Sequence, residues 1–248
     1  MPPLRHLAAT ALAAGLIALP AQAEMTEAER QAFRDEVRAY LLDNPEVLIE
    51  AMDVLQSREE QAAANRDLQM LADNAALIFD SADDWVGGNP DGDVVLVEFM
   101  DYRCGYCRKA YDEVEELVKS DGNIRFVVKE FPILGEASLL SAQFAIAVRQ
   151  LHGDAAYKSA HDALIALRGE PTVDTLGRLA GDLGLEAQPI LDRMGAPEVM
   201  SIIQANHALA DKLDISGTPT FVLPRMMLRG YLPLDAMRQI VDEVRAEG

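Results

Sequence analysis

Cysteine and tryptophan are scarce in this sequence. Its 248 residues include one tryptophan and two cysteines, Cys104 and Cys107. Two cysteines this close together would close only a very small loop, so a disulfide between them would add little to stability. We therefore expect a core that holds without long-range disulfides, and a cysteine pair that serves reactivity or metal binding.

Basic residues are also few. The chain has 22 lysines and arginines against 41 aspartates and glutamates, a formal net charge of −19. Phosphate binding needs clustered cations, so neither nucleic acid nor an anionic membrane surface is an expected partner. Positive charge gathers locally at Arg103, Arg108 and Lys109 beside the cysteines, where we expect it to favour a thiolate.

Extended apolar runs are limited to residues 7–19, between Arg5 and the small-residue pattern Ala21-Gln22-Ala23. This run is too short for a bilayer-spanning helix, which needs roughly 20 apolar residues. A basic residue, a short apolar run and a small-x-small site are together typical of a secretory signal peptide. We expect cleavage after about Ala23 and a periplasmic or secreted mature protein. An uncleaved N-terminal anchor is the alternative.

Residues 24–80 carry helical periodicity and no strand signal. A first helix is predicted to end near Asp43–Asn44, and Pro45 suits the first turn of a second helix, with Asn44 as its cap. The apolar positions form one broad face, here called the apolar pad: Phe33, Val37, Tyr40, Leu41, Val47, Leu48, Met52, Val54 and Leu55. Water satisfies such a face poorly, so we expect self-association through about residues 30–56. Folding of the pad onto the main domain is the alternative. Residues 56–67 are predicted to be a solvated helical connector.

Residues 81–248 are predicted to form an α/β domain. Residues 80–93 are interpreted as a loop, and a buried strand follows at 94–99. A helix after the cysteines reaches about residue 118, and a second strand covers 124–129. Helices then fill about 136–213, before a hairpin and a closing helix. The pattern predicts an α/β unit with a helical insertion.

Cys104-Gly105-Tyr106-Cys107 lies where a strand gives way to a helix. The first turn of a helix exposes free N–H groups and the positive end of the dipole, which stabilise a thiolate. Cys104 is therefore the expected attacking sulfur, and Cys107, one turn inside, the resolving sulfur. Zinc would need further ligands. His152, His161 and His207 lack zinc-site spacing and are predicted to be ordinary helix-surface residues. The two thiols alone are possible Cu(I) ligands.

Three further positions point to the same chemistry. Glu98 lies in an otherwise apolar strand, so its pKa is expected to be raised and it is a candidate proton shuttle for Cys107. A solvent-facing Glu98 is the alternative. Lys129 on the next strand would neutralise Glu98, or would face solvent. Thr218-Pro219 opens a strand in a manner that fits a cis X-Pro turn, which would bare the Thr218 backbone for an extended substrate.

Three segments resemble the DsbA-like branch of the thioredoxin superfamily. They are Val-Glu-Phe-Met-Asp-Tyr-Arg-Cys-Gly-Tyr-Cys, then Lys-Glu-Phe-Pro-Ile-Leu-Gly at 129–135 and Gly-Thr-Pro-Thr-Phe at 217–221. The resemblance covers about residues 80–248 and implies a thioredoxin fold with an inserted helical domain, preceded here by an N-terminal helical segment. It also implies that Cys104 is the nucleophile, Cys107 the resolving thiol, Glu98 a buried acid and Pro219 the cis-proline.

Two details of the resemblance concern the type of exchange. Strongly oxidising DsbA proteins carry Pro-His between the cysteines and Val before the cis-proline, whereas Gly105-Tyr106 and Thr218 resemble the isomerase DsbC. Residues 40–56 are similar to the N-terminal segment of ScsC-type proteins, which are DsbA-like proteins linked to copper tolerance, some of them trimeric isomerases.

The expected activity is therefore periplasmic thiol–disulfide exchange of the isomerase or reductase type. The expected substrates are unfolded or misdisulfided secreted proteins. We expect a homo-oligomer, no cofactor and a membrane redox partner of unknown identity. A Cu(I)-binding protein, a DsbA-like net oxidase and a chaperone that uses the apolar pad are the alternatives.

Overall fold

The structure, a computed structural model, describes residues 25–247. The chain divides into two compact units, with the boundary between Arg58 and Glu59. The predicted signal peptide, including Arg5, the apolar run at 7–19 and the Ala23 cleavage site, lies outside the described residues. Within residues 25–247, no helix combines the length and apolarity needed to cross a bilayer.

The first unit is helical. Helix α1 (Glu27–Asp43) begins at Thr26, whose hydroxyl accepts a hydrogen bond from the amide of Glu29. The Glu29 carboxylate in turn accepts from the amide of Thr26 at 2.8 Å, a reciprocal pair that fixes the helix start. The helix ends at Asp43, where the sequence predicts its end, and the amide of the cap residue Asn44 donates to the Tyr40 carbonyl. None of the described α1 side chains is buried.

Helix α2 (Glu46–Phe79) runs without interruption through the predicted connector. Its later residues Leu71 and Ile78 are buried in a hydrophobic cluster of the second unit. The connector is largely exposed but is not free of contacts, because Asp67 accepts two hydrogen bonds from the guanidinium of Arg229, at 2.8 and 3.0 Å. The last residue of the predicted connector is therefore tied to Arg229 by an ion pair.

Five strands of the second unit form one sheet in the order β1-β3-β2-β4-β5. Their bounds are β1 (Trp85–Gly88), β2 (Val94–Met100), β3 (Ile124–Glu130), β4 (Thr220–Leu223) and β5 (Met226–Arg229). Strands β2 and β3 are parallel, and the other pairs are antiparallel. Strand β1 corrects the sequence interpretation of residues 80–93 as a loop. Its Trp85 is buried and stacks on Tyr157, with ring centroids 5.5 Å apart.

Seven helices complete the part of the second unit that follows α2. They are α3 (Gly105–Asp121), α4 (Glu136–His152), α5 (Asp154–Ala166), α6 (Val173–Asp182), α7 (Ala187–Met194), α8 (Pro197–Lys212) and α9 (Leu234–Glu247). Helices α4 to α8 lie between β3 and β4, which confirms the predicted α/β fold with a helical insertion. The insertion places a mainly helical layer beside the cysteine-bearing helix, since α4 and α5 pack into the same core as α3.

The sheet buries both of its faces. Leu96 and Met100 of β2 pack in the cluster that contains residues of α3, α5 and α9. Val97 and Phe99 pack in the opposite cluster, with residues of α2 and α8. Side chains alternate between faces along a strand, so Glu98 is directed to the α3 face. This alternation determines which polar side chains lie on the same face of the sheet as α3.

Candidate active site

Cys104 occupies the position immediately before α3, with extended backbone angles of φ −71° and ψ 120°. Its carbonyl accepts the first helical hydrogen bond, from the amide of Arg108 at 3.1 Å. The sulfur therefore lies at the end of the helix where amides are free. Hydrogen bonds lower the pKa of Cys104 to about 5, against the opposing effect of burial. The largest contribution comes from the Cys107 thiol, and the Thr218 side chain and the amides of Cys107 and Tyr106 contribute the rest.

Cys107 is the more deeply buried sulfur, with 1 % of its surface exposed against 7 % for Cys104. Both cysteines are free thiols. The hydrogen bond to Cys104 raises the pKa of Cys107 far above its ordinary value, and burial and the nearby Glu98 add to this. The pair therefore holds one proton in a defined place: Cys104 is ionised while Cys107 stays protonated.

Glu98 is 7 % exposed and lies on β2 between Val128 of β3 and Phe221 of β4. Burial raises the pKa of Glu98 to about 8, with smaller contributions from the charges of Cys104, Glu115 and Glu130. Glu98 and Cys107 line the same small cavity. The solvent-facing alternative for Glu98 is therefore wrong in this structure.

A cis peptide bond joins Thr218 to Pro219, and the two residues lie opposite the cysteines. The Cys104 sulfur lies 3.1 Å from the Thr218 carbonyl oxygen, to which it donates when it is protonated. The Pro219 carbonyl accepts from the amide of Gly230 at 2.9 Å, which ties this turn to the end of β5. The structure thus brings Cys104, Cys107, Glu98, Thr218 and Pro219 into one site, as the sequence predicts.

The basic side chains near the cysteines do not act as expected. Arg103 donates to the Gly169 carbonyl and pairs with Glu170, and Arg108 donates to the Tyr102 carbonyl. The Lys109 ammonium lies 3.9 Å from the centre of the Tyr231 ring. These head groups are engaged elsewhere, and the low pKa of Cys104 arises from hydrogen bonds instead.

Lys129 also corrects a sequence expectation. It is opposite Phe99 in the parallel register, one position beyond Val128, which is opposite Glu98. Its side chain therefore lies on the other face of the sheet. There the buried ammonium pairs with Asp84 and donates to the Leu77 carbonyl at 2.9 Å. Lys129 neither neutralises Glu98 nor faces solvent.

Asp101 is a buried residue to which sequence reasoning gave no role. Its carboxylate accepts from the amide of Arg103 at 2.7 Å, from the hydroxyl of Ser138 at 2.8 Å, and from the amides of Ile133 and Leu134. These bonds join the turn before Cys104 to the loop after β3. The sequence signal was an acidic residue directly after a strand, which is typical of an Asx turn.

A second group of polar residues lies on the same face as Glu98. Tyr102 and Tyr157 donate to Glu130 at 2.7 and 2.6 Å, and the Tyr102 hydroxyl lies 3.0 Å from Nδ1 of His161. His161 is buried, so its prediction as a helix-surface residue is wrong. Burial lowers the pKa of His161 to about 4, and the ring is therefore neutral at neutral pH. Tertiary contacts across 59 positions create this group, and no local pattern indicates it.

The geometry supports reversible exchange of disulfides. A Cys104 thiolate attacks a substrate disulfide and releases one substrate thiolate, which leaves a mixed disulfide. Cys107, once deprotonated, attacks the Cys104 sulfur and releases the second substrate thiolate. Within residues 25–247, no cluster of three or more His, Cys, Asp or Glu side chains has a metal-binding arrangement. Fold and site together define a thioredoxin-fold thiol–disulfide oxidoreductase.

Comparison with protein families gives the same class. The thioredoxin family model matches residues 80–243, and the model described as the copper resistance protein ScsC N-terminal domain matches residues 29–62. The chain therefore belongs to the thioredoxin family, and it carries an ScsC-like N-terminal segment.

Solved structures agree with this assignment. A thioredoxin-like oxidoreductase from Silicibacter pomeroyi DSS-3 is 39 % identical, with a TM-score of 0.66 over 70 % of this chain and 98 % of that one. Proteus mirabilis ScsC in a transitional conformation is 25 % identical, with a TM-score of 0.66 over 92 % of this chain and 100 % of that one.

Curated relatives extend beyond the length of this chain. The Na(+)/H(+) antiporter NhaA 1 of Salinispora arenicola is 32 % identical over 163 residues, which is 64 % of this chain and 24 % of the antiporter. The chain thus spans about a quarter of the length of the curated relatives that it matches.

Proposed function

We propose that this chain is a periplasmic thiol–disulfide isomerase or reductase that acts on secreted proteins. The observation that carries the proposal is the paired state of the two sulfurs. Hydrogen bonding lowers the pKa of Cys104 to about 5 and leaves the proton on buried Cys107. An ionised nucleophile that is more exposed than its protonated resolving thiol suits a protein that starts each cycle in the reduced form.

The residues around the sulfur favour isomerisation or reduction over net oxidation. The positions between the cysteines hold Gly105 and Tyr106, and Thr218 precedes Pro219. The Tyr106 ring is 63 % exposed and stacks near Tyr231, with ring centroids 6.4 Å apart. Exposed Tyr106 on partly buried Tyr231 offers an aromatic surface on which apolar groups of a misfolded substrate can pack.

The apolar pad supports an oligomer. Phe33, Tyr40, Leu48 and Met52 are each more than half exposed. The first unit has a groove with a volume of about 420 Å³. Its lining residues are Phe33, Arg34, Val37, Arg38, Leu41, Leu42 and Leu48. Association would cover this surface, and it would supply several Cys104 thiols to one substrate at high effective concentration. The ScsC-like match over residues 29–62 supports the same proposal.

A refolding assay combined with a redox titration tests the function. Reduced full-length protein is expected to reactivate a scrambled-disulfide substrate, and Cys104→Ser to be inactive. The titration should give a potential between that of thioredoxin, about −270 mV, and that of DsbA, about −120 mV, because a stabilised Cys104 thiolate stabilises the reduced form. A protein that only introduces disulfides into a reduced substrate would contradict the isomerase or reductase assignment.

Copper binding is the second candidate, because two adjacent thiols suit Cu(I). The Cys107→Ser variant distinguishes copper binding from catalysis. A catalyst with this change accumulates mixed disulfides with substrates, whereas a copper-sequestering protein loses tight Cu(I) binding and traps nothing.

A further inference from the structure

A small cavity connects the buried acid to the outer part of α3. It has a volume of about 10 Å³, and its polar lining comes from Glu98, Cys107, Tyr111, Glu115 and His161. That volume is about the minimum that holds one water molecule. The apolar lining residues Met100, Val114, Phe126 and Ile165 close the remaining sides.

Glu115 stands at the solvent end of this cavity. Its side chain is 38 % exposed, and its carboxylate lies 3.2 Å from the ammonium of Lys158 on α5. Lys158 is also held by Asp162 at 2.7 Å, which fixes its position beside Glu115. Glu115 therefore has one side toward the cavity and one toward water.

The exchange cycle requires a proton to travel between Glu98 and solvent. In the reduced protein the Cys104 thiolate helps to keep Glu98 protonated, because its charge is one of the causes that raise the pKa of Glu98 to about 8. Formation of the mixed disulfide removes that charge. The pKa of Glu98 is then lower, so Glu98 ionises more readily and its carboxylate accepts the Cys107 proton when Cys107 attacks Cys104.

The substrate covers the Cys104 side of the site at that moment, so the proton needs another exit. We propose that Glu115 carries the Glu98 proton to and from solvent through one water in this cavity. Glu115 does not touch the reacting sulfurs and affects the reaction only through Glu98. The sequence of transfers is Cys107 to Glu98, Glu98 to water, and water to Glu115. Electrons move only between sulfurs, as Cys107 bonds to Cys104 and the substrate leaves as a thiolate.

Other titratable groups also face Glu98, so the test has to distinguish proton transfer by Glu115 from a change in the charge around Glu98. They are Cys104, Cys107 and Tyr111 from the α3 side, Glu130 from β3 and His161 from α5. Removal of the Glu115 charge alone would lower the pKa of Glu98, because Glu115 raises it. If the role of Glu115 were purely electrostatic, Glu115→Gln would increase the fraction of Glu98 that is ionised and able to accept a proton. The resolving step would then be unchanged or faster.

The test measures the resolving step in a single turnover. The reduced full-length protein is mixed with a small peptide disulfide, samples are acid-quenched, and the mixed disulfide is followed by mass spectrometry. We expect Glu115→Gln to slow decay of the mixed disulfide about tenfold, which is less than the 10²–10⁴-fold contribution of a general acid or base that acts directly on the reacting atoms. The pH dependence of decay should flatten, while the rate of mixed-disulfide formation stays unchanged. Glu115→Asp or added acetate should restore part of the rate.

Glu116→Gln is the matched control, since Glu116 is the exposed neighbour on the same helix and lies 3.8 Å from Arg238. Equal or faster decay in Glu115→Gln would overturn the relay and leave the exchange function intact. The relay rests on the proposed function, so a wild-type protein that does not react with the peptide disulfide would overturn both. Failure with scrambled proteins alone would contradict only the isomerase assignment.

Discussion

Hydrogen bonds, rather than neighbouring cations, set the chemistry at the scale of single residues. The sulfur of Cys104 is stabilised as a thiolate by Cys107, Thr218 and the free amides of the α3 start. Arg103, Arg108 and Lys109 are close in sequence but bind other groups. A short-range hydrogen bond at a partly buried site resists screening by salt, whereas exposed cations do not.

Thr218→Val is expected to raise the pKa of Cys104 above its value of about 5, because the Thr218 side chain helps to lower that pKa. Titration of the thiolate by its ultraviolet absorbance measures the change. Ser216→Ala, two positions earlier at an exposed residue, is the control. An unchanged midpoint in Thr218→Val would show that the threonine side chain plays no part.

Glu98→Gln is expected to stabilise the reduced fold, and more so at higher pH. Burial raises the pKa of Glu98 from 4.5 to about 8. Between these values the folded state holds a proton that the unfolded state has lost, so the wild-type free energy of unfolding falls as the pH rises. The gain in the variant should reach about 5 kcal/mol above pH ~8 and be small near pH ~4. Urea unfolding at several pH values checks this, and a gain that does not vary with pH would contradict it.

At the scale of elements, a one-residue offset separates correct from incorrect sequence predictions. The dense run Val94–Phe99 identified β2, and Glu98 within it was placed correctly inside the domain. Lys129 was assigned to the wrong partner because register within a parallel pair is a tertiary property, and a shift of one residue reverses the face. Strand β1 was missed because its glycines are typical of loops, while its pairing with β3 depends on residues about 40 positions away.

Lys129→Met is expected to lower the free energy of unfolding by about 3–5 kcal/mol, since it leaves the buried Asp84 charge without its partner. Chemical denaturation measures the loss. Exposed Lys119→Met is the control and should change stability by less than about 1 kcal/mol. Adding Asp84→Asn to Lys129→Met should recover part of the loss, because the uncompensated charge is then gone. No recovery would contradict the ion-pair explanation.

At the scale of the whole molecule, the two units differ in how much apolar surface they bury. The apolar pad lies on a first unit whose α1 has no buried side chain, whereas the second unit has extensive cores on both sheet faces. Sequence periodicity was sufficient to predict the pad and the α/β fold. It could not predict the Glu130, Tyr102 and His161 group, whose members come together only after the insertion has packed.

A chain that begins at Glu59 is expected to be monomeric, and the full-length chain oligomeric. This boundary keeps the Asp67–Arg229 ion pair and the buried residues Leu71 and Ile78. Each apolar side chain covered by association contributes roughly 1.5–3 kcal/mol. Light scattering measures the mass. Met52→Asp should dissociate the full-length assembly and Ser57→Asp should not, and a monomeric wild-type protein would contradict the oligomer.

The most direct test of thiol–disulfide exchange is the covalent product that Cys107→Ser forms with a disulfide substrate. The full-length variant is incubated with a peptide disulfide, and intact mass and peptide mapping identify the linked cysteine. The structure predicts a stable mixed disulfide through Cys104, which is ionised and the more accessible sulfur. Cys104→Ser should form no such product. Trapping through Cys107 in that second variant, with none through Cys104 in the first, would contradict the assignment.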